Sequence, residues 1–137
     1  MEVIIHLFQQ VKIIKIKTLE NDGIYSFGRN GDGQLGIGNK DNQSTPQRVK
    51  FFDKMKIKEI SCGKSHTIIS TGNTSNISEN VIFSFGENGS GQLGIGKNTK
   101  DDLSIPQEIK FFYKMKIKQI SCGSNHTLVL TSKKFIF

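Results

Sequence analysis

Residues 26–38 read SFGRNGDGQLGIG, and residues 84–96 read SFGENGSGQLGIG, so 11 of 13 positions are identical at an offset of 58. A second block behaves in the same way: residues 46–68 return at residues 106–128 with 16 of 23 positions identical and an offset of 60. Self-similarity at a nearly fixed period is typical of repeated supersecondary units that bury their apolar faces on one another. The sequence therefore predicts an array of two units of about 60 residues.

The first half of each unit predicts two short strands joined by a glycine-rich loop. The apolar and aromatic runs at residues 24–27 and 81–85 have the length and residue types of strands. After a polar loop, each unit continues at Pro46 or Pro106. Because proline cannot donate a ladder hydrogen bond, we expect it at the start of a strand or on an edge strand.

The second half of each unit predicts two further strands. Apolar and lysine residues alternate along residues 55–62, but the phase shifts by one residue, and a β-bulge near Lys58 and Glu59 would absorb that shift. The Thr-, Ile- and Leu-rich segments 66–71 and 126–131 follow a glycine turn and also fit strands. Four short antiparallel strands per repeat, with no helical periodicity, predict an all-β protein built from β-propeller blades, each blade being a four-stranded sheet.

The glycines of the repeated blocks are predicted to form structural turns. Glycine accepts positive φ and close backbone approach at little cost. We assign this role to Gly28, Gly31, Gly33, Gly36, Gly38, Gly86, Gly89, Gly91, Gly94, Gly96, Gly63 and Gly123.

A phosphate-binding alternative for the glycines is disfavoured. Residues 31–36 and 89–94 both satisfy the pattern G-x-G-x-x-G. A dinucleotide site requires that this pattern opens a helix, whose N-terminus receives the pyrophosphate. Here a polar loop at residues 39–45 follows instead. The sequence predicts no bound cofactor.

The quoted motifs together resemble the repeat of the regulator of chromosome condensation. The resemblance rests on residues 25–36, Pro46 and residues 60–67, and on their copies through residues 91–94 and 122–127. Aromatic Phe27 and Phe85 stand where the family usually has Trp. The resemblance implies a seven-bladed β-propeller, of which this chain would supply about two blades and flanking strands.

The repeats divide the chain into four parts. We expect residues 1–22 to supply one or two degenerate strands of a preceding blade. Residues 23–80 form the first repeat and residues 81–132 the second. Residues 133–137 are predicted to begin a third repeat.

The cysteines and histidines suggest a zinc site that the repeat geometry opposes. Cys62 and His66, with their copies Cys122 and His126, have Cys-x-x-x-His spacing. Equivalent atoms of neighbouring packed sheets lie about 10 Å apart, whereas zinc needs all four ligands within about 2.3 Å. The same separation exceeds the reach of a disulfide. We predict no metal site and two free, buried thiols.

His66 and His126 each lie between a turn and a strand, where an imidazole can hydrogen-bond the backbone of the turn and fix a blade edge. The alternative is contact with a partner, because the resemblance implies that some histidines of exchange factors in this family touch a GTPase. The sequence contains no Ser-His-Asp order and no paired carboxylates at repeated positions. We therefore predict no catalytic residues.

The formal net charge of +7 comes mainly from lysine. The chain has only Arg29 and Arg48, whereas two rows of lysines repeat, at positions 50, 54, 56 and 58 and at positions 110, 114, 116 and 118. Bidentate recognition of phosphate and guanine belongs to arginine, so nucleic-acid binding is disfavoured. Lysines on an exposed strand discourage edge-to-edge aggregation. The alternative is a basic stripe that attracts an acidic protein or nucleic acid.

These observations predict a non-enzymatic protein-interaction module in the cytoplasm or nucleus, with no membrane partner. The resemblance implies two alternatives: a guanine-nucleotide exchange factor for a Ran-type small GTPase, and a propeller segment of a larger ubiquitin-ligase or signalling protein. Two blades would leave an apolar sheet face open at each end. We therefore expect self-association or further blades.

Overall fold

A computed structural model describes residues 2–8, 11–17, 22–72, 80–96 and 101–132, with side chains from residue 23 onward. In these ranges the chain forms ten β-strands and two short 3₁₀ turns. The strands are β1 (Glu2–Phe8), β2 (Val11–Lys17), β3 (Asp22–Gly28), β4 (Gln43–Arg48), β5 (Lys56–Cys62), β6 (His66–Gly72), β7 (Asn80–Gly86), β8 (Leu103–Glu108), β9 (Lys116–Cys122) and β10 (Thr127–Ser132), and the turns are Lys50–Phe52 and Lys110–Phe112.

The strands form three antiparallel sheets in chain order. The first sheet has the order β1-β2-β3-β4 and the second has the order β5-β6-β7-β8. The third sheet contains β9 and β10 among the described residues. The predicted all-β class and the blade of four antiparallel strands are confirmed.

The sheets are offset from the sequence repeat by two strands. Each repeat was equated with one blade, and this interpretation was wrong: β3 and β4 close the first sheet, whereas β5 and β6 of the same repeat open the second. The 3₁₀ turn Lys50–Phe52 carries the chain from one sheet to the next. Each repeat therefore spans two neighbouring blades and links them covalently. Residues 133–137, the predicted start of a third repeat, lie outside the described residues.

The predicted bulge and proline positions are confirmed. The register of β5 against β6 shifts between Ile57 and Glu59, and β9 and β10 show an equivalent shift. This shift allows both Ile57 and Ile60 to be buried although their spacing breaks the alternation. Pro46 and Pro106 lie on β4 and β8, which are the last strands of their sheets.

The core consists of two apolar layers, one on each side of the second sheet. The first layer contains Ile24, Leu35, Val49, Phe52, Ile57, Ile60, Ile69 and Phe85. The second contains Ile68, Ile82, Ile109, Ile117 and Ile120. Neighbouring residues of β6 thus face opposite sheets, which is the period of two that a strand buried on both faces requires. No helix within the described ranges is long and apolar enough to cross a bilayer.

Candidate functional site

The glycine-rich loop between β3 and β4 is held closed by the polar residues of its own motif. The Ser26 hydroxyl donates to the Leu35 carbonyl at 2.9 Å, and Asn30 Oδ1 accepts from the Leu35 amide at 3.0 Å. Gln34 Oε1 accepts from the Asp32 amide at 2.9 Å. The same three bonds recur in the second repeat, at Ser84, Asn88 and Gln92. The repeated motif therefore encodes a defined loop conformation.

Backbone dihedrals distinguish the glycines of this motif. Positive φ occurs at Gly28, Gly33, Gly36, Gly38, Gly86, Gly91, Gly94 and Gly96. Gly31 and Gly89 lie at the loop tips, and Gly63 and Gly123 lie in the turns before β6 and β10. The G-x-G-x-x-G pattern opens onto a loop and an edge strand in both copies, so it lacks the helix N-terminus that holds a pyrophosphate.

The His-Thr pair of each repeat connects one blade to the previous one. The Thr67 hydroxyl of β6 donates to the Gln34 carbonyl of the preceding loop at 3.0 Å. The Thr127 hydroxyl makes the same bond to the Gln92 carbonyl at 2.9 Å, and it lies 3.0 Å from His66 Nε2. The motif threonines therefore hold loops against strands of the next sheet.

Side chains of β5 also satisfy the edge of β9. Glu59 Oε2 accepts a hydrogen bond from the Ile120 amide at 3.1 Å, and Ser61 Oγ accepts one from the Cys122 amide at 3.0 Å. Partial burial raises the pKa of the Glu59 carboxyl. These two bonds replace the strand pairing that neighbouring blades cannot make with each other.

The Gly-x-x-His spacing has a steric cause. The Gly63 amide donates to the His66 carbonyl at 2.8 Å, which closes the turn between β5 and β6. A Cβ atom on Gly63 would overlap the His66 ring and would lie 2.7 Å from the Gly123 carbonyl oxygen. Gly123 has the same relation to His126. A glycine is therefore required where the imidazole folds back over the turn.

The two motif histidines occupy different environments. His66 is 1% exposed and lies between the second and third sheets, and burial lowers its pKa to about 4. Its Nε2 atom bonds Thr127 of the neighbouring sheet rather than the backbone of its own turn. His126 is exposed. We therefore retain the predicted partner contact for His126 alone, as a proposal.

Both cysteines are free and partly exposed rather than buried. Burial of the thiol raises the pKa of Cys62 to about 12 and also raises that of Cys122. The Cys122 thiol contacts the Ser61 carbonyl at 3.5 Å. Within the described ranges no three His, Cys, Asp or Glu side chains gather as a metal ion would require.

We expect both thiols to react slowly with Ellman's reagent at pH 8, because the thiolate is the nucleophile and both pKa values are raised. Cys62, studied in Cys122→Ser, should react at least tenfold more slowly than free cysteine. Unfolding the protein in guanidinium should remove this difference. A Cys62 thiol that reacts as fast in the folded protein as in guanidinium would contradict the prediction.

Gly33 and Gly91 provide a matched test of the contact between blades. Both have positive φ, but a Cβ on Gly33 would lie 2.7 Å from the Leu103 carbonyl oxygen, whereas none of the described atoms lies within 4 Å of a Cβ on Gly91. Gly91→Ala should reduce the free energy of unfolding by about 1–2 kcal/mol through backbone strain alone. Gly33→Ala should cost about 2 kcal/mol more because of the clash. Urea unfolding of both variants measures the difference, and equal losses would contradict it.

The predicted lysine rows lie on exposed strand faces. Lys56 and Lys58 on β5 are exposed and flank buried Ile57, and Lys116 and Lys118 flank Ile117 on β9 in the same way. Lys58 Nζ contacts Asn80 Oδ1 at 2.5 Å. The lysines are thus placed where either predicted role, protection of the sheet or attraction of an acidic partner, is open to them.

The second repeat exposes large apolar residues that sequence reasoning missed. Phe111 is 75% exposed and Tyr113 is 64% exposed, whereas Phe51, the equivalent of Phe111, is 37% exposed. On β10, Leu128 is 65% exposed, although its equivalent Ile68 is fully buried. One signal was available in the sequence: Tyr113 replaces the charged Asp53 of the first repeat.

Successive antiparallel four-stranded sheets, joined by motif loops that bond to the next sheet, define a repeat protein of the β-propeller class. The sequence profile described as Regulator of chromosome condensation (RCC1) repeat matches residues 21–70 and 79–130. The chain therefore belongs to the RCC1 repeat family, as the resemblance predicted.

Similar proteins share parts of this chain. X-linked retinitis pigmentosa GTPase regulator of Canis lupus familiaris is 38% identical over 118 residues, which are 85% of this chain and 11% of that protein. Ultraviolet-B receptor UVR8 of Arabidopsis thaliana is 38% identical over 108 residues, which are 79% of this chain and 23% of that protein. The crystal structure of human WBSCR16 superimposes with a TM-score of 0.74 at 19% identity, covering 94% of this chain and 30% of WBSCR16. The chain thus spans under a quarter of these two relatives.

Proposed function

We propose that this chain is a non-enzymatic protein-interaction module whose exposed apolar residues in the second repeat contact a protein partner. The observation that carries the proposal is the exposure of Phe111 and Tyr113, at 75% and 64%. Exposed aromatic residues on a polar surface mark interaction sites. Lys110 and Lys114 flank them, and a Lys114 Nζ atom lies 5.4 Å from the Tyr113 ring centroid.

The polar residues of the motif support this proposal because they already have structural partners. Ser26, Asn30 and Gln34 hold the first loop, and Thr67 holds that loop against β6. Side chains committed to such bonds are poorly suited to proton transfer or nucleophilic attack. Recognition by surface residues is therefore the function that these repeats fit best.

The test is binding to a purified partner. Candidates retained by the immobilised full chain are expressed separately, and their affinity is measured by calorimetry for the wild type and for Phe111→Ser/Tyr113→Ser. We expect at least a tenfold loss, because aromatic anchors dominate interface energies. The control variant is Lys40→Ser, which changes an exposed ion pair with Asp102 elsewhere on the surface. A catalytic turnover that disappears in His126→Ala would overturn the proposal.

A second candidate function is guanine-nucleotide exchange on a Ran-type small GTPase. Its support is membership of the family and the printed name of one relative, a GTPase regulator 38% identical to this chain. A partner of this kind would be released from its nucleotide by differential binding rather than by covalent chemistry. Release of mant-GDP from Ran measures this activity, and a release rate unchanged at saturating protein would reject it.

A further inference from the structure

The loop of residues 28–38 is covered by the next blade, and the cover has a defined chemistry. A Cβ on Gly36 would lie 2.7 Å from the Phe85 ring, so this ring lies directly on the loop backbone. The Gly38 amide donates to the Ser104 carbonyl at 2.9 Å. Phe85 belongs to β7, which pairs with β6 so that Phe85 lies opposite Thr67. The first loop thus receives an aromatic ring from a strand added beside β6.

The loop of residues 86–96 repeats this surface without that cover. A Cβ on Gly94, the equivalent of Gly36, would meet only Ile109 of its own repeat, at 3.6 Å, among the described residues. A cavity of about 320 Å³ lies here, lined by Gly91, Leu93, Gly94, Phe112, Thr127 and Val129 among others. We call this cavity the second socket. Its floor is formed, because Leu93 is fully buried and the loop bonds are in place.

The strand beside the second socket is also in position. The Thr127 hydroxyl donates to the Gln92 carbonyl as that of Thr67 donates to the Gln34 carbonyl, so β10 lies against this loop as β6 lies against the first. On the described residues β10 pairs with β9 on one side only. Thr127–Ser132 carries no proline and no charge, whereas the edge strands β4 and β8 contain Pro46 and Pro106. Its open edge is therefore competent to accept another strand.

We propose that the second socket binds an extended peptide segment of a partner protein, which adds as an antiparallel strand to β10 and inserts a phenylalanine ring over Gly94. The segment should follow the pattern of β7, with aliphatic and aromatic residues leading to Phe-Gly. The glycine is needed because a Cβ on Gly86, at φ 105°, would overlap the Ser65 carbonyl. Strand addition supplies affinity through backbone hydrogen bonds and specificity through the inserted side chain. The proposal extends the interaction function but uses residues other than Phe111 and Tyr113.

The probe is a fluorescent peptide of residues 80–88, NVIFSFGEN, which is the segment that covers the first loop. Two glutamates at each end keep it soluble and complement the net charge of +7. Anisotropy titrations with the full chain should give saturable binding. The peptide with Phe85→Ala should bind at least tenfold more weakly, which tests the ring contact without altering the protein. Hydrogen exchange of residues 127–132 should slow when the peptide is bound.

Two matched glycine variants test the position of the ring. Gly94→Ala places a methyl group where the ring should lie and should weaken binding at least tenfold. Gly96→Ala has similar backbone strain, since φ is 72° at Gly96 and 63° at Gly94, but the Cβ at the equivalent Gly38 meets no described atom within 4 Å even beneath the next blade. Gly96→Ala should therefore bind as the wild type does. Circular dichroism and thermal melts confirm that both variants are folded.

The unfavourable outcomes are distinct. Absence of saturable binding, or binding that neither Gly94→Ala nor the Phe85→Ala peptide weakens, overturns the proposal. Occupation of the socket by residues 133–137 or by a second copy of the chain would exclude the peptide and would also overturn it. Loss of peptide binding in Gly94→Ala with retained dependence of partner binding on Phe111 and Tyr113 supports both functions as separate sites. Failure of the peptide test alone leaves the proposed interaction function standing.

Discussion

Gly63→Ala should reduce the free energy of unfolding by roughly 3 kcal/mol or more, the upper range for overpacking a buried site. The added methyl group would overlap the His66 ring, which is 1% exposed and cannot move into solvent. It would also lie 2.7 Å from the Gly123 carbonyl oxygen, which is backbone and cannot rotate away. Urea unfolding followed by circular dichroism measures the loss.

Gly89→Ala is the matched control for this prediction. A Cβ on Gly89 would have its nearest described neighbour at 3.6 Å, in Glu87, so the change should remain within about 0.5 kcal/mol. A double-mutant cycle then isolates the ring contact. Gly63→Ala should cost clearly less in a His66→Ala background, because removal of the ring removes one of the two clashes. Equal costs in both backgrounds would show that the imidazole is not what excludes a side chain at Gly63.

Local sequence patterns predicted the strands of this fold well. The alternation through residues 55–62 placed β5, and the change of phase between Ile57 and Ile60 placed the bulge that the ladder shows. Such signals work because side-chain period and burial are properties of a single strand. Pro46 and Pro106 were located on edges for a similarly local reason, their missing amide hydrogen.

The division of the strands into sheets could not be read from the same patterns. A repeat of about 60 residues has the same period whichever strand begins it, so the sequence leaves the phase of the blade open. Pairing across the chain fixes that phase: β6 pairs with β7 across residues 73–79, and no strand pairing joins β4 to β5 on the described residues. The blade is therefore a tertiary feature, and the repeat is a covalent one.

The candidate sites were also predicted only in part. The sequence treats His66 and His126 alike, because both follow Gly-x-x and precede Thr. Their exposure differs because Thr127 and the third sheet cover His66, whereas the described residues place no fourth sheet over His126. The second socket has the same origin, since its loop is identical in pattern to the covered loop. Local motifs define these surfaces, and the neighbouring blade decides which of them are accessible.

The buried His66 should make folding sensitive to mild acid. Burial lowers its pKa to about 4, whereas a histidine in the unfolded chain has a pKa of about 6.5. Below pH 6.5 the unfolded chain therefore takes up a proton that the folded protein refuses until about pH 4. Stability contributed by this difference is complete above pH 6.5 and is lost as the pH falls to about 4, and the loss amounts to about 3 kcal/mol.

The measurement is urea unfolding at pH 7 and pH 4 for the wild type, His66→Gln and His126→Gln. Carboxyl groups also destabilise all three proteins in acid, so the difference between variants carries the result. His66→Gln should be less stable at pH 7, because the bond to Thr127 is altered, but should lose about 3 kcal/mol less than the wild type on acidification. His126→Gln changes an exposed imidazole and should follow the wild type. An acid loss that is the same in wild type and His66→Gln would mean that His66 accepts its proton without leaving the interface between the second and third sheets.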